Sequence, residues 1–504
     1  MVDFSPVLWL YARWRAARLR ALDPAAAQER ELRRLLSRAS GTVFGRQHDF
    51  GRIRTIGDFQ RAVPLRSYEE FWDGWWRDAF PVHENLTSPG RTPYFAVTSG
   101  TTSGTTKYIP ITDAMVASNK KAAVDVVVHH MARHPGSRPL KGKTFMMGGS
   151  TDLVEEAPGV FSGDLSGIAV RTQSAWTRPF AWPPEETALL DDWEEKLTRF
   201  VHDGFEQNIS IWTGVPSWML FLLERMREEA PDRPPFPNLD LLVHGGVSWD
   251  LYRDRFRDFL HATGASTREV YPASEGFIAV QDRGEGEGLA LIPDNGIFFE
   301  FVPVEELGAD TPTRHWAGNL ETGVNYAIAV TTCAGLYAYL IGDTVRFVDR
   351  ERPRLLITGR TSYMLSAFGE HLIGSEIEQA VHEAAEMQAV DVIEFIVGPV
   401  LTGDSGGRGG HVYLLEAAGD VDTSRLAADI DTLLSATNDD YRAHRGGGHG
   451  MDAPEVRLQP HGAFERWMEM KGKSGGQHKV PRVIAEAQKF TEVLEEFEEI
   501  AGGG

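Results

Sequence analysis

Three apolar, strand-like segments that each run into a glycine-bearing turn constrain the fold of this chain most. Their sequences are RPLKGKTFMMGGS, FEQNISIWTGVP and NLDLLVHGGVSWD. Helical patterns lie between or after them, in SWMLFLLERMREEA and WDLYRDRFRDFLHAT. Such alternation is typical of crossover units in a sheet with helices on its faces. The sequence therefore predicts an α/β fold for the first part of the chain.

The pattern of predicted secondary structure changes after RLLITGR. A run of β-type segments comes before this point, and a helix pattern (GSEIEQAVHEAAE) and two strand-like segments (AVDVIEFIVGPV and GGHVYLLEAA) follow it. A second helix pattern and a short strand-like segment come next. We predict two domains, residues 1–360 and a small α+β domain of residues 361–504.

Charge and composition exclude several classes of function. The chain has 504 residues and a formal net charge of −21, which argues against nucleic acid or an anionic membrane as a partner. It has one cysteine, which fits a reducing cytoplasm. No stretch is apolar for long enough to span a bilayer. Trp9, Tyr11, Trp14 and Ala17 recur at helical intervals, and we expect an amphipathic helix there that docks on the protein.

The segment TSGTTSGTTKYIPIT, from Thr98 to Thr112, has a composition that no ordinary strand or helix needs. Small hydroxyl residues and glycines let backbone amides surround an anion, hydroxyls add donors, and Lys107 supplies charge. It is not a Walker A loop, because Thr105 and Thr106 separate Gly104 from the lysine. We interpret it as a phosphate-binding loop.

Two further motifs with groups that suit a nucleotide follow downstream. In YPASEG, the ring of Tyr271 could stack on a purine, the Ser274 hydroxyl could donate to a phosphate, and the Glu275 carboxylate could hold Mg²⁺. In YLIGD, Asp343 ends a strand-like stretch and offers a carboxylate that suits a ribose diol. Each motif alone is weak evidence for a nucleotide site; an aspartate after glycine, for example, is usually a turn residue.

Together, TSGTTSGTTKYIP, YPASEG and YLIGD resemble the three signatures of the GH3 family of acyl-acid amido synthetases, a branch of the adenylate-forming superfamily. The resemblance extends to flanking segments such as DFQRAVPLRSYEEFW and GAFERWMEMKGKSGGQHKVPRV. It implies a large N-terminal adenylate-forming domain, with mixed or parallel sheets and a β-barrel-like part, and a small mobile C-terminal domain.

The resemblance also implies roles for individual residues. Lys479 would be the mobile catalytic lysine, with Lys471 and Lys473 as alternatives, and Ser274 and Glu275 would be catalytic, Glu275 as the Mg²⁺ ligand. Arg360 would be a second ribose contact, and Ser362 would lie near the pivot between the domains. The implied nucleotide-binding residues are Thr98, Ser99, Gly100, Thr101, Thr102, Ser103, Lys107, Gly245, Gly246, Val247, Tyr271, Pro272, Ala273, Asp343 and Arg360.

The activity implied is adenylation of a carboxylic acid with ATP and Mg²⁺, then transfer of the acyl group to an amine or amino acid. Transfer to a thiol, of CoA or a carrier protein, and a non-catalytic nucleotide-binding protein remain alternatives. By analogy, the acyl pocket would be lined by Ala114 to Met131, MMGGSTD and WTGVPSW, whose composition indicates a hydrophobic or aromatic acid. We expect a cytoplasmic monomer or weak dimer with small-molecule substrates.

Two other patterns invite different functions. GDSGG, at residues 403–407, matches the nucleophile motif of chymotrypsin-like proteases but lies in a glycine-rich loop without its companion motifs. His130 and His134 lie one helical turn apart, yet no HExxH glutamate follows His130. We therefore expect a coincidence in the first case and a solvated helix face, rather than a zinc site, in the second.

Overall fold

A computed structural model gives the fold of the chain. It describes residues 3–99, 106–148, 153–175, 177–188, 190, 193–246, 249, 252–361, 365, 367, 370, 372–401, 409–438, 441–442, 445, 451–471 and 480–502. The described residues form two compact units. The first comprises those up to 99, from 106 to Ile341, and Arg346–Leu356. The second comprises Gly342–Val345 and those from Ile357 onward.

Helices of the first unit alternate with its strands, as the sequence predicts. The helices are α1 (Ser5–Ala21), α2 (Pro24–Ala39), α3 (Val43–Gln47), α4 (Ile56–Ala62), α5 (Tyr68–Phe71), α6 (Asp113–Arg133), α7 (Leu165–Arg171), α8 (Glu185–Ala188), α9 (Trp193–Gly204), α10 (Pro216–Glu229) and α11 (Arg253–Thr263). Within the described residues, none of the helices in the chain has both the length and the apolar character needed to cross a membrane.

The strands follow the same order along the chain. They are β1 (Tyr94–Ser99), β2 (Thr106–Ile111), β3 (Lys143–Met147), β4 (Leu153–Ala157), β5 (Val160–Gly163), β6 (Ala181–Trp182), β7 (Ile209–Gly214), β8 (Leu241–Gly245), β9 (Ser266–Ala273), β10 (Gly276–Val280), β11 (Leu289–Leu291), β12 (Ile297–Pro303), β13 (Asn325–Thr332), β14 (Tyr339–Asp349) and β15 (Arg354–Arg360). The three segments with which the sequence analysis began contain β3, β7 and β8.

One large sheet has the strand order β12-β13-β14-β15-β11-β10-β9-β8-β7-β3-β6. Neighbouring strands from β6 to β9 pair in parallel, whereas β9, β10, β11 and β15 pair antiparallel in that order. The α/β class and the mixed sheet are confirmed. The part expected to resemble a barrel is instead the open antiparallel end of this sheet, because β12 lies at one edge and β6 at the other.

Within the hydroxyl-rich segment, β1 ends at Ser99 and β2 begins at Thr106. A smaller sheet has the order β2-β1-β5-β4, so β2 is an edge strand. Pro110 lies within β2 and pairs with Phe95 of β1. Because proline cannot donate a ladder hydrogen bond, it is tolerated in an edge strand. The helix α6 begins only after Thr112, whose hydroxyl accepts a hydrogen bond from Met115 N over 3.3 Å.

Helix α1 docks on α6, as expected, but through a different face. The side chains of Tyr11 and Trp14 are 41% and 55% exposed, whereas Ala12, Arg15 and Ala16 are buried. Arg15 makes two hydrogen bonds to the Asp125 carboxylate of α6, at 2.8 and 2.7 Å. It also bonds to Asp294, at 3.0 and 3.1 Å. Small apolar residues of α1 pack on Val128 and Met131 of α6 beside this buried ion pair, and of the predicted aromatic residues Trp9 packs against them.

His130 of α6 is 1% exposed, and its ring stacks on His134 with centroids 4.9 Å apart. This corrects the expectation that both histidines lie on a solvated helix face.

The second unit contains the α+β elements that the sequence predicts. They are α12 (Gly374–Met387), β16 (Asp391–Leu401), β17 (Gly409–Ala418), α13 (Thr423–Thr437), β18 (Glu455–Leu458), α14 (Ala463–Met470) and α15 (Ala487–Gly502). Strand β17 is central, antiparallel to β16 and parallel to β18. One buried core of this unit is built from α12, α13 and one face of the sheet, with Ile377, Tyr413 and Ile430 fully buried, and a second is built from the other face with α14 and α15. The boundary after residue 360 stays a prediction.

Candidate active site

The hairpin of β1 and β2 fixes the two ends of the hydroxyl-rich segment. Thr98 and Lys107 are Cα partners across the hairpin, and Ser99 pairs with Thr106 one step further along. Gly100, Thr101, Thr102 and Ser103, which the sequence analysis assigned to phosphate binding, lie outside the described residues. The described part therefore places the two ends of the segment side by side and leaves the roles of the residues between them as predictions.

Lys107 lies over an aromatic ring. Its Nζ is 5.3 Å from the ring centroid of Tyr68, a distance at which the ring face attracts a cation. The Tyr68 hydroxyl accepts a hydrogen bond from Tyr108 N over 2.9 Å, which anchors the ring to β2. Burial raises the pKa of the Tyr68 phenol to about 12, so this residue stays neutral. Tyr68 thus supports the lysine without competing for its charge.

The motif YPASEG forms the turn between two antiparallel strands. Tyr271, Pro272 and Ala273 end β9, and Ser274 and Glu275 connect it to Gly276, where β10 begins. Gly276 has a φ of 146°, which side chains rarely adopt, and a Cβ there would lie 2.5 Å from Ile297 Cδ1. Glycine is therefore required at this position, directly after Glu275, where the turn enters β10. The Tyr271 side chain is buried, while Pro272 is exposed.

Glu275 accepts a hydrogen bond from the phenol of Tyr339, which is 1% exposed. Burial raises the pKa of Tyr339 well above its usual value, and the charge of Glu275 and its acceptance of the hydrogen bond raise it further. The phenol is therefore a permanent donor to this carboxylate. Tyr68 also lies close enough to Tyr339 to contribute to the shift.

These contacts bring residues of all three predicted motifs together within the first unit, because Tyr339 is the first residue of YLIGD. Lys107 lies against Tyr68, Tyr68 is near Tyr339, and Tyr339 donates to Glu275. Two buried tyrosines thus connect the strand after the phosphate-binding loop to the turn that carries the predicted Mg²⁺ ligand.

The glycine pair of HGGVS follows β8. Gly245 pairs with Val270 of the parallel strand β9, and a Cβ at Gly245 would lie 2.3 Å from the Val270 carbonyl oxygen. Because β8 and β9 are parallel, their carboxyl ends, Gly245 and Ala273, lie at the same edge of the sheet. Gly246 follows directly, and Val247 is outside the described residues. The structure therefore brings this turn to the edge that carries YPASEG.

His244 precedes this pair and is 1% exposed. Its ring stacks on Trp249, with 4.0 Å between centroids. Burial, with a smaller contribution from Arg253, lowers the pKa of His244 to about 3. The imidazole is therefore neutral near pH 7 and acts as a packing group under the glycine turn.

The two predicted ribose contacts lie together in the second unit. Arg360 Nε donates to Asp343 Oδ1 over 2.7 Å, and their side chains are 37% and 16% exposed. Asp343 follows Gly342, which has a φ of 85°, and lies on β14, the strand that begins with Tyr339. The pairing orients both polar groups toward each other.

The predicted C-terminal lysine is not among the described residues. Lys479, its alternative Lys473 and the predicted pivot Ser362 all lie outside them. The other alternative, Lys471, follows α14 and forms an ion pair with Glu496 of α15. The GDSGG segment also lies outside the described residues. The choice between these lysines stays open.

A small cavity beside the end of β3 includes part of the segment predicted to line an acyl pocket. Met146, Gly148 and Phe200 contribute its apolar lining, and Ser166 and Lys196 its polar lining. Lys196 is 2% exposed, and its charge acts on the carboxyl of Asp164. Nothing in the sequence distinguishes this lysine of α9 from one on a solvated helix face.

Tyr68 and Tyr339 are the residues of this site to which the sequence analysis gave no role. Tyr339 is the first residue of YLIGD, so its position in the motif was the signal that could have drawn attention to it. Tyr68 lies in a capping-box helix whose sequence, SYEEF, indicates only a helix start. Its contact with Lys107 depends on tertiary structure and has no local signature.

Family models match three parts of the chain. The GH3 family N-terminal domain matches residues 18–230, the central domain residues 290–360, and the C-terminal domain residues 375–488. Along the chain, the matched domains follow one another in the order N-terminal, central and C-terminal.

Curated relatives match over shorter stretches. A probable indole-3-acetic acid-amido synthetase of rice, GH3.9, is 28% identical over 236 residues, covering 42% of this chain and 53% of the relative. The jasmonoyl–L-amino acid synthetase JAR4 of Nicotiana attenuata is 26% identical over 224 residues, covering 42% of this chain and 39% of the relative. The matched stretches thus span about half or less of these proteins.

Solved structures share the fold over nearly the whole chain. An acyl acid amido synthetase, AtGH3.15, in complex with 2,4-DB has a TM-score of 0.78 at 17% identity and covers 99% of this chain and 97% of its own. A 2-hydroxyisobutyryl-CoA ligase in its postadenylation state has a TM-score of 0.60 at 16% identity, with coverages of 93% and 91%. The fold is that of adenylate-forming enzymes. Since the three GH3 domain models account for most of the sequence, the chain belongs to the GH3 family.

Proposed function

We propose that this protein is an ATP-dependent acyl-acid amido synthetase. It would convert a carboxylic acid and ATP into an acyl-adenylate and pyrophosphate, and then transfer the acyl group to an amine or amino acid. The observation that carries the proposal is that Lys107 lies over Tyr68 and that Tyr339, which lies near Tyr68, donates to Glu275, so that residues of all three nucleotide motifs meet in one unit. Family membership and the amido synthetase names of the relatives support it.

The first half-reaction joins two anions. A carboxylate oxygen attacks the α-phosphorus, and the bond between the α-phosphorus and the bridging oxygen of pyrophosphate breaks. Developing negative charge must be neutralised, and removal of one such stabilising group costs about 2.7–4 kcal/mol in the barrier. Lys107, at the foot of the hydroxyl-rich loop, would hold the outer phosphates, and Ser274 would donate to the α-phosphate. Thr98 and the loop residues Ser99 to Ser103 would surround those phosphates.

The oxygen donors around Glu275 fit a magnesium ion. Glu275 and the preceding Ser274 belong to a half-buried turn, and Mg²⁺ prefers hard oxygen ligands such as a carboxylate together with phosphate oxygens. When bound, the ion would neutralise charge on the phosphates. Tyr339 would keep the carboxylate ionised and oriented, since its neutral phenol donates to it.

Nucleoside recognition is assigned to the remaining predicted residues. Tyr271 to Ala273 would lie along the adenine, together with Gly245, Gly246 and Val247. Asp343 and Arg360 would hold the ribose hydroxyls. Because these two side chains already pair, they would present one ordered donor and acceptor set to the sugar.

In the second half-reaction an amine nitrogen attacks the acyl carbon, AMP leaves with the bond electrons, and the nitrogen loses a proton. Lys479 would act in the first half-reaction, carried by a second unit that swings on the segment from Arg360 to Ser362. We propose small-molecule substrates, a hydrophobic or aromatic acid among them, with no nucleic-acid or membrane partner. We also propose that the protein acts in the cytoplasm as a monomer or weak dimer.

Pyrophosphate–ATP exchange with a panel of carboxylic acids tests the proposal. We expect exchange that depends on Mg²⁺ and on one class of acid. Product analysis by mass spectrometry with that acid, ATP and either amino acids or CoA then identifies the acceptor. An amide confirms the proposal, a CoA thioester would replace the transfer step by thiol ligation, and the absence of exchange with every acid would leave only nucleotide binding.

A further inference from the structure

The outer face of α1 carries a stripe of exposed apolar side chains. Phe4, Val7, Leu10, Tyr11 and Trp14 are 44%, 67%, 66%, 41% and 55% exposed, and we call them the α1 stripe. They are five of the fifteen large apolar side chains that are exposed among the described residues, and the other ten are spread over residues 82–470. Single exposed apolar residues are ordinary on a protein surface, whereas a contiguous group of them marks an interaction site.

The α1 stripe has the spacing of a coiled-coil seam. Phe4, Val7, Tyr11 and Trp14 follow one another at intervals of three, four and three residues, and Arg18 continues the series four residues later. This is the alternation of a and d positions in a heptad repeat, which keeps one face of a helix against a partner helix. The spacing therefore indicates that the occupant of the stripe is another helix.

The stripe is separate from the face through which α1 packs on its own chain. Ala12 and Ala16 pack against α6, and Arg15 between them is buried. At 3.6 residues per turn, the centre of the stripe lies roughly 130° around the helix from the centre of that buried face. A second helix can therefore contact the stripe without displacing α6.

The area of the stripe suits a weak dimer. An aromatic side chain has about 150–250 Å² to bury, so each half-exposed aromatic residue of the stripe offers about 100 Å². Val7 and Leu10 are smaller but two-thirds exposed, and each adds about as much. Two such stripes would bury up to roughly 1,000 Å² together, which lies above most crystal-packing contacts and below the range of stable complexes.

The charges near the stripe do not favour an anionic occupant. The helix α1 contains four arginines and no acidic residue. However, Arg15 is held in its buried ion pairs, and Arg13 and Arg18 lie over the rings of Trp9 and Trp14, at 4.8 and 5.7 Å from the centroids. The chain as a whole has a net charge of −21, which repels an anionic lipid surface.

The order of residues along the stripe is self-complementary. A two-fold axis through an antiparallel pair of α1 helices, centred on Tyr11, places Val7 opposite Trp14 of the second copy and Phe4 opposite Arg18 of the second copy. A guanidinium over an aromatic ring is attracted to it, so the one charged position of the seam meets a suitable group. A parallel pair would instead place Arg18 of both copies side by side, where like charges repel.

We propose that the α1 stripe pairs with the α1 stripe of a second copy of this chain, in the antiparallel arrangement centred on Tyr11. The contact gives a weak dimer, and it uses none of the residues assigned to the nucleotide site. It does not depend on the proposed enzymatic function. Its test measures molecular mass, so that a failure of one proposal is distinguishable from a failure of the other.

Sedimentation velocity of the full-length protein over a concentration series from the micromolar to the sub-millimolar range tests the dimer. We expect the parent to show a monomer–dimer equilibrium. Tyr11→Arg places two like charges at the axis and should raise the dimer Kd by at least about tenfold. Phe221→Arg makes the same kind of change at a residue of α10 that is 39% exposed, and should dimerise like the parent.

A charge-swap pair tests the position of the axis. Tyr11→Glu also brings two like charges together, so each variant alone should dimerise less than the parent. A mixture of Tyr11→Arg and Tyr11→Glu copies should dimerise at least about tenfold more tightly than either alone, because opposite charges then meet at the axis. Both variants should keep the parental Tm, since the side chain is exposed and both new residues are good helix formers.

Several results would overturn the proposal. A parent that stays monomeric at every concentration would exclude the dimer, and a mixture no tighter than the single variants would exclude pairing around Tyr11. Dimerisation that weakens when NaCl is raised from about 0.15 to about 1 M would assign the contact to charged groups rather than to the apolar seam. A monomeric parent that binds vesicles of phosphatidylcholine with phosphatidylserine would assign the stripe to a lipid surface instead.

Discussion

Arg360 Nε donates a hydrogen bond to Asp343 Oδ1 over 2.7 Å, so the two residues assigned to the ribose act on each other as well. Asp343→Ala should raise the KM for ATP in pyrophosphate exchange by about tenfold or more, because it removes a charged acceptor and leaves Arg360 without this partner. Exchange at the parental rate would contradict the assignment. Arg360→Gln and the double variant complete a cycle, and the effects should be less than additive because the residues are in contact.

Glu275→Gln tests the proposed magnesium ligand. Loss of this carboxylate should lower the exchange rate by about 10²–10³-fold, the effect of removing one group that stabilises transition-state charge. Tyr339→Phe should have a smaller effect of the same kind and should raise the Mg²⁺ concentration needed for half-maximal exchange. Tyr326→Phe removes another buried tyrosine hydroxyl, which accepts a hydrogen bond from Glu321 N, and should not change the Mg²⁺ dependence.

Lys107→Gln tests the proposed contact with the outer phosphates. We expect the KM for ATP to rise by about tenfold or more, as for other hydrogen bonds to charged groups. Lys107→Arg should retain part of the function, because it keeps the charge over Tyr68. The exposed Lys141→Gln variant has the same change in net charge and should have a parental KM. An unchanged KM for ATP in Lys107→Gln would move the phosphates elsewhere.

His244 makes the stability of the first unit depend on pH. Burial lowers its pKa from 6.5 to about 3, so below pH 6.5 the unfolded chain takes up a proton that the folded chain does not. The free energy of unfolding should therefore fall as the pH decreases from 6.5 toward 3, by up to about 1.4 kcal/mol per pH unit from this group. Urea denaturation at pH 7 and pH 5 measures the difference. His244→Phe should reduce it, whereas the exposed His261→Gln should not.

The ion pairs of Arg15 should make α1 essential for stability. Arg15→Met leaves the buried Asp125 carboxylate without its partner, and we expect a loss of about 3–5 kcal/mol in the free energy of unfolding. Arg33→Met breaks an exposed pair with Glu29 and should cost less than about 1 kcal/mol. Equal midpoints of urea denaturation for the two variants would show that the buried pair contributes no more than the exposed one.

Periodicity was sufficient to predict the elements but not their partners. The strands β3, β7 and β8 and the helices α10 and α11 follow directly from apolar spacing and glycine punctuation. The edge strand β2 was missed, because Pro110 indicates the end of a strand unless its position at the sheet edge is known. On α1 the aromatic residues were expected on the buried face, but Tyr11 and Trp14 are exposed, and the buried face is made by Ala12, Arg15 and Ala16.

In the candidate site, too, the sequence indicated single residues but not the contacts between them. The motifs led to Lys107, Glu275 and Asp343, but Tyr68, which lies between Lys107 and Tyr339 of YLIGD, belongs to none of the motifs.

Gly342–Val345 belong to the second unit although first-unit residues flank them on both sides. A gene fragment that begins at Ile357 would therefore omit part of the second unit, and a fragment that ends at Leu356 would retain that part without its partners. Exchange of C-terminal modules between relatives would have to replace Gly342–Val345 as well. Any such recombination would have to transfer Asp343 together with Arg360.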